Sequence, residues 1–580
     1  MNLIEQARNQ ADALLRAAYD TAAAKGDLPA GANLSGVMEI PKDTKNGDYA
    51  ANHAMTCAKA LRAAPRAIAE ALIENLDLSG SWFDSVEAAG PGFLNFRLGE
   101  RWYADVLAAV CAEGADYGRS EALKGQKINV EFVSANPTGP MHMGNARGGV
   151  LGDALAEVLS RAGATVEREF YVNDAGNQIE KFAASIDARY TQLIRGEDAV
   201  EFPEDGYHGD DIRALAAGFF AKYGETYLDK PETERHAAMA EYGLSQNLPK
   251  MKADLARYGI QYDTWFLEST LHESGFVKDT VDALRSRGFT YERDGALWLA
   301  TSKILGDKYL AEGKTPEQIE KLGLKDDVLV RANGVCTYFA ADIAYHRSKL
   351  ETRGFDKAIN IWGADHHGHV ARLKAALDAL GLDGTRRLDI VLMQLVRLVR
   401  SGEVVKMSKR TGRAISLGDL LDEIPIDAAR WFFNSRPESQ MDFDLGLAVR
   451  QDSENPVYYV QYAHARICSM LLNLAEEGLA VPAPGEADLT LLSTEHERAL
   501  IKQLSALPEE IKAAARDYSP NRISAFATET AARFHKFYTE CRVKGAPPET
   551  AKARLLLADC TRRVLENALS ILGVRAPEKM

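Results

Sequence analysis

The chain has 580 residues, too many for one ordinary hydrophobic core, so two to four domains are expected. Apolar residues make up 46% and charged residues 26%, the balance of a soluble globular protein and not of a fibrous or disordered one. A formal charge of −14 excludes a chain that is basic throughout and leaves any nucleic-acid contact to a local patch.

At the N-terminus, residues 2–24 place Leu3, Ala7, Ala11, Leu14, Leu15 and Ala18 on one helical face. Glu5 and Asp12 interrupt any apolar run, so a structural helix is expected and not a secretion signal. No run of about 18 apolar residues occurs, so no membrane span is expected. A helical pattern covers 50–76, and "GFLNFRL" at 92–98 reads as a strand after the turn "AGPG".

From 127 onward the pattern alternates strand, loop and helix, the sign of a parallel sheet with crossover helices. Strands are expected at 128–134, 165–172, 357–363 and 388–396. Val150, Leu151, Ala154, Leu155, Val158 and Leu159 form the stripe of the first crossover helix, which Gly163 can end in a left-handed conformation. Residues 195–330 are polar and irregular and read as an insertion between two halves of the sheet; within them, 303–327 looks like a solvated helical addition. After 442 the period is helical almost throughout. The expected division is 1–115 (α/β), 116–441 (parallel sheet with insertions) and 442–580 (all-α).

The six cysteines form no C-x-x-C pair, which argues against a disulfide framework or a thiolate zinc site and suits a reducing cytosol. From Cys541 to the end, eight Lys/Arg stand against four acids, a basic surplus in an acidic protein.

The chemistry concentrates in "SANPTGPMHMGNARGG" at 134–149, a glycine- and proline-rich loop between a strand and a helix N-terminus. Free backbone N–H groups and the helix dipole make such a loop an anion site. It is neither G-x-x-x-x-G-K-[ST] nor G-x-G-x-x-G, and carries instead H-x-G at His142–Gly144. A second loop, "VVKMSKRTGRAIS" at 404–416, gathers Lys406, Lys409 and Arg410 after another apolar strand. Cations there could close over a polyphosphate and neutralise charge as pyrophosphate leaves.

The pair "MHMGN" and "KMSKR", in that order, resembles the HIGH and KMSKS motifs of class I aminoacyl-tRNA synthetases. "EFVSANPTGPMHMGNARGG", "YVNDAGNQIEKF", "TYFAADIAYH", "QLVRLVRSGEVVKMSKRTG", "NPVYYVQYAHAR" and the terminal "APEKM" resemble the arginyl-tRNA synthetase family, as do "NGDYAANHAM" and "AGPGFLNFRL" near the start. The resemblance implies a doubly wound, Rossmann-like catalytic domain, an α/β tRNA-binding N-terminal domain and an all-α anticodon-binding domain. It also implies a cytoplasmic monomer that joins L-arginine to tRNA(Arg) through an arginyl-adenylate.

On that resemblance the ATP site comprises Pro137, Thr138, Gly139, His142, Gly144, Asn145 and His369, with Lys406, Met407, Ser408 and Lys409 closing from the second loop. His142, Gly144, Asn145, Lys406 and Lys409 are the catalytic set, and ATP enters as its Mg²⁺ complex. Glu131, Tyr338 and Asp342 are expected at the guanidinium, which wants carboxylates at its planar fork. Asn136 and His366 are expected at the amino-acid end. "GADHHGH" at 363–369 could pass for a metal cluster, but it follows a strand of the same sheet and resembles the family's amino-acid and adenosine pocket, so the resemblance implies substrate contacts there and no resident metal. Tyr538 and Arg542, at i, i+4, are expected on one helix face near the anticodon with Met580.

Asn145 departs from the motif, which has a second histidine there: Asn keeps an N–H donor but cannot become a cation. The family generally needs bound tRNA before it activates the amino acid, and that is expected here. The competing readings are another class I synthetase, a tRNA-free ligase using the same loop, and a non-catalytic tRNA-binding relative. The helical domain of about 140 residues that follows "KMSKR" disfavours the tRNA-free ligase, and retention of His142, Lys406 and the carboxylates disfavours the non-catalytic relative.

Overall fold

The computed structural model describes residues 1–364, 367–400, 402–405, 415–435, 440–483 and 485–580. The helix Leu3–Lys25 opens with the Asn2 side chain accepting the Glu5 N–H and closes at Gly26, φ +87°. The pattern at 50–76 is two helices, His53–Leu61 and Pro65–Glu74. Arg62 at φ +50° turns the chain between them, and Pro65 starts the second helix where its missing N–H costs nothing. They lie against an antiparallel sheet of β1 (Met38–Glu39), β2 (Tyr49–Ala51), β3 (Phe83–Ala89) and β4 (Phe93–Leu98), in the order β1-β2-β4-β3.

Next come β5 (Lys127–Glu131), β6 (Thr165–Val172) and β7 (Thr264–Leu267), then β8 (Thr290–Arg293), β9 (Ala296–Leu299) and β10 (Asp327–Val330). They are followed by β11 (Lys357–Gly363) and β12 (Leu388–Met393). One parallel sheet has the order β12-β11-β5-β6-β7. The winding runs outward from β5 on one side and from β11 on the other, so a crevice opens beyond the carboxyl ends of these two neighbours.

Two expectations change. The stretch 195–330 is not all insertion: β7 belongs to the parallel sheet, and only β8, β9 and β10 form a separate antiparallel sheet. With four residues, β7 is too short to show a period. The run 388–396 is two strands. β12 ends at Met393, Leu395 is 77% exposed, and β13 (Val396–Arg400) pairs with β14 (Glu403–Val404) and β15 (Met441–Asp444) in another sheet.

The helix Met143–Arg161 lies close on the sheet because Gly152 faces Phe132, where an added Cβ would stand 2.1 Å from Cγ. Buried Arg430 ties this helix to the end of the chain. It donates to Asp153 Oδ2 at 2.5 Å, to the Leu572 carbonyl at 2.9 Å and to the Tyr258 carbonyl at 3.1 Å. From Pro456 the described chain is helical apart from its connections, with the long helices Pro456–Glu476, Asn521–Glu540 and Pro548–Ile571.

Candidate functional site

The crevice is shaped by a sharp turn after β5. Val133 at φ +68° and Ser134 at φ +43° both sit in the left-handed region, which a β-branched residue rarely enters. Such residues cost of order 1–3 kcal/mol each and persist only where neighbours hold them. Here Ser134 Oγ donates to Glu131 Oε1 at 3.0 Å and accepts the Tyr171 N–H at 3.2 Å. The turn throws the following loop over the crevice and leaves two adjoining cavities, about 740 and 510 Å³, that share Val133, Ser134 and Asn136.

The smaller cavity carries the H-x-G loop. His142 is the N-cap of the helix Met143–Arg161: its Nδ1 accepts the Gly144 N–H at 3.2 Å, and its own N–H donates to Asn145 Oδ1 at 3.1 Å. With Nδ1 an acceptor, the His142 ring proton belongs to Nε2. Thr138, Gly139 and Asn145 line the same cavity with Tyr207, His208 and Asp211, and the Pro137 carbonyl is held by Asn247 Nδ2 at 2.9 Å. The backbone around His142 pairs with the segment at 415–417: the Met143 N–H donates to Ile415 O at 3.1 Å and the Leu417 N–H to Met141 O at 2.9 Å. The end of the second cationic segment is therefore fastened to the first loop. Lys406, Met407, Ser408 and Lys409 themselves, like His366, lie outside the described residues.

The larger cavity is the more acidic, with Glu131, Glu268 and Asp342 in its lining against Asp211 in the smaller one. Tyr338 and Asp342 lie one turn apart on the helix Tyr338–Arg347, and Glu268 follows β7. The Tyr338 hydroxyl accepts the Asn177 N–H at 2.9 Å, and Gly176 at φ +77° lets its ring approach, since a Cβ there would be 3.2 Å from it. Asp342 Oδ2 lies 2.5 Å from His369 Nε2, and Oδ1 lies 3.1 Å from His346 Nδ1. Burial opposes the Asp342 charge, yet these imidazoles hold its carboxyl well below the ordinary carboxylate range. Glu268 goes the other way: burial pushes its carboxyl up, and contacts with Tyr171 and His272 only partly offset that. His369, expected on the ATP side, is thus seated on Asp342.

Glu131 lines the same cavity, but its carboxylate is already engaged. Buried Lys349 donates to Glu131 Oε2 at 2.7 Å, and its ammonium lies 3.7 Å from Glu169. Arg353 and Tyr345 complete the Glu169 shell. Sequence reasoning missed Lys349, Glu268, His346 and Asn360. Lys349 in "HRSKLETR" looks like a solvated charge, and the only signal for it is the demand that a buried carboxylate at the end of β5 find a cation.

In the C-terminal region Tyr538 is exposed on the helix Asn521–Glu540, with the Arg466 guanidinium 4.2 Å from its ring centre. Arg542 is exposed but does not share that helix face. The helix stops at Glu540 and Cys541 turns the chain, because the following "RVKGAPP" cannot continue it. Met580 is half exposed at the chain end, where the Pro577 carbonyl lies 2.9 Å from His464 Nδ1. Exposed Tyr462 stacks beside Tyr458, a ring pair that adds to this aromatic surface. Among the described residues, no three His, Cys, Asp or Glu side chains are grouped to hold a metal ion, and no helix is long and apolar enough to cross a membrane.

Comparison with known proteins gives three consecutive matches along the chain. Residues 10–98 match the arginyl tRNA synthetase N terminal domain, 106–442 the catalytic domain of tRNA synthetases class I (R), and 460–580 the DALR anticodon binding domain. The arginine–tRNA ligase of Acetivibrio thermocellus is 49% identical over 580 residues, covering 100% of both chains. That of Caldanaerobacter subterraneus subsp. tengcongensis is 50% identical with the same coverage. The arginyl-tRNA synthetase structure from Thermus thermophilus superposes with a TM-score of 0.71 over 98% of this chain and 100% of that one; at 23% identity it speaks for the fold.

Proposed function

The chain belongs to the arginyl-tRNA synthetase family, and from that premise we propose that it joins L-arginine to tRNA(Arg) in two steps driven by ATP. The observation that carries the proposal is the pair of adjoining cavities, one with Asp342 and Glu268 for a guanidinium, the other with the H-x-G loop for a nucleotide. Asn136, which lines both cavities, is assigned to the amino-acid end of the substrate.

In the first step an arginine carboxylate oxygen bonds to the α-phosphorus of ATP, and the bond to the bridging oxygen of the β-phosphate breaks, releasing pyrophosphate. No protein nucleophile is required, so catalysis is positioning and charge stabilisation. The Nε2–H of His142 donates to the phosphate oxygens, Gly144 admits the nucleotide against the backbone, and the Asn145 amide offers a further donor. Lys406 and Lys409 neutralise the departing pyrophosphate together with the Mg²⁺ that ATP carries. Asp342 and Glu268 clasp the guanidinium beside Tyr338, while Glu131, fixed by Lys349, forms the acidic floor. In the second step the terminal ribose hydroxyl of the tRNA attacks the arginyl carbonyl and AMP leaves.

Tyr538, Arg466, Arg542 and Met580 supply rings, cations and a chain end for the anticodon loop. The N-terminal unit is assigned to another part of the same tRNA. A monomer is part of the same proposal. Six free cysteines fit a reducing cytoplasm.

ATP–pyrophosphate exchange with each proteinogenic amino acid, with and without tRNA, tests the proposal. Exchange with arginine that appears when tRNA is added is the expected result. Exchange with another amino acid would overturn the substrate and keep the class.

A further inference from the structure

Asp342 can serve a guanidinium only if its negative charge is not already spent on a neighbouring cation. Two imidazoles touch it, so their protonation decides how much charge is left. The buried surroundings of His346 contain enough one-way groups to settle this for the nearer question, the tautomer of that ring.

Lys349 is fully buried, and an ammonium can only donate. It lies 3.3 Å from Asn360 Oδ1 on β11, so the Asn360 amide must present its oxygen to the lysine. The amide nitrogen then faces His346 Nε2 at 2.7 Å. An amide NH₂ also only donates, which makes Nε2 the acceptor and leaves the ring proton on Nδ1. Nδ1 faces the Asp342 main-chain carbonyl at 2.8 Å and its carboxylate at 3.1 Å. Turning the amide over would set NH₂ against the ammonium, and protonating Nε2 would set N–H against NH₂. All three members, Lys349, Asn360 and His346, are at least 99% buried, so no water takes up the slack. On the other flank Arg372, another pure donor, lies 3.5 Å from His369 Nδ1 and biases that ring toward an Nε2–H on Asp342.

We infer that Lys349, acting through Asn360, is a positioning residue that fixes His346 as a neutral Nδ1–H donor, so that Asp342 meets the substrate with a full negative charge. The relay is a charge filter. It presents the side chain of arginine with an anion that is hydrogen-bonded but not neutralised, and it gives the neutral urea isostere citrulline no matching advantage. The inference rests on the proposal that Asp342 receives the guanidinium.

Asn360→Asp is the test. A carboxylate facing Nε2 demands a proton there, which either removes the donor from Asp342 or makes His346 a cation that cancels it. The KM for arginine in aminoacylation should rise at least ~10-fold, while the inhibition constant of citrulline and the KM for ATP move less than about two-fold. A merely structural defect would weaken arginine and citrulline alike, and that result would overturn the relay. Selectively ¹⁵N-histidine-labelled wild-type protein gives a second readout that needs no folded variant except for assignment by His346→Gln. His346 should show an acceptor-type Nε2 and a protonated Nδ1; a protonated Nε2 would overturn the relay. Asp342→Asn separates the two levels. Unchanged arginine binding in that variant would sink the guanidinium assignment itself, whereas lost binding there with an unaffected Asn360→Asp would sink the relay alone.

Discussion

His142 and Asn145 cap one helix between them: the His142 N–H donates to Asn145 Oδ1 at 3.1 Å while the His142 ring accepts the Gly144 N–H. Asn145 therefore does two jobs with its two ends. The oxygen belongs to the cap, and the amide NH₂ is the part left for the nucleotide cavity. A histidine in its place could supply a charge; an asparagine supplies a cap and a donor.

Asn145→Asp separates those jobs. The carboxylate keeps the acceptor and suits the helix N-terminus, so denaturation midpoints should hold or rise slightly. It removes the donor and adds negative charge beside the phosphates, so the adenylation rate should fall roughly 10²-fold. Asn145→Ala should lose both, including about 1 kcal/mol from the cap. Equal rates for Asn145→Asp and wild type would show that the NH₂ has no part in the chemistry.

His142→Ala should lower kcat for arginine activation by roughly 10²–10³, the range for one preorganised donor. Gly144→Ala should act in the same direction and more weakly, because the new methyl would crowd the His142 ring at 3.0 Å. Single-turnover adenylate formation measures both. A change confined to KM would remove His142 from the transition state.

Arginine binding should weaken in acid through Glu268. Burial raises its carboxyl, so as pH falls it takes a proton before an ordinary glutamate would, and the guanidinium loses one of two anions. Asp342, held low, keeps its charge throughout. The KM for arginine should therefore climb as the pH falls, starting above the range where an ordinary glutamate titrates, and Glu268→Gln should be worse at neutral pH with a flatter acid limb. An unchanged acid limb in Glu268→Gln would assign the titration elsewhere. The same shift stabilises the empty fold on the acid side, because the native state holds that proton more tightly than the unfolded chain.

Lys349→Met should cost about 3–5 kcal/mol, since it strands Glu131 without a cation and leaves Glu169 with one cation, Arg353, beside the Tyr345 hydroxyl. Denaturant unfolding checks this, and a loss under about 1 kcal/mol would mean that the lysine is no more than a surface pair. Gly152→Ala should cost about 1–3 kcal/mol by forcing Phe132 off its seat.

The legible parts of this molecule are those where local period and global packing agree. The strand–loop–helix alternation at 127–172 reads correctly because β5, β6 and the intervening helix are each long enough to show their period. β7 is not, and its membership in the parallel sheet comes only from pairing with β6. The run at 388–396 hides a change of sheet, since apolar residues suit both and only the exposure of Leu395 marks the break. The site divides in the same way. The H-x-G loop and Tyr338–Asp342 are singled out through the family resemblance of their segments, while Glu268, Lys349 and Asn360 come from three separate segments that nothing in the sequence brings together. Arg542 leaves the helix face of Tyr538 for a local reason, the chain turning one residue before it.

Residues Ser348–Thr352 form a π turn, and Lys349 is its second residue. Such a turn is an α-helix carrying one residue too many. Deleting Ser348 would let the helix Tyr338–Arg347 run on in α form and swing each later side chain, Lys349 first, by about 100° around the axis. Lys349 would leave Glu131 and Asn360 together, although every substrate-facing residue kept its identity. Pocket charge in this protein is thus a matter of chain length as well as composition, and a one-residue gap at this point in a relative would mark an enzyme that balances the end of β5 by other means.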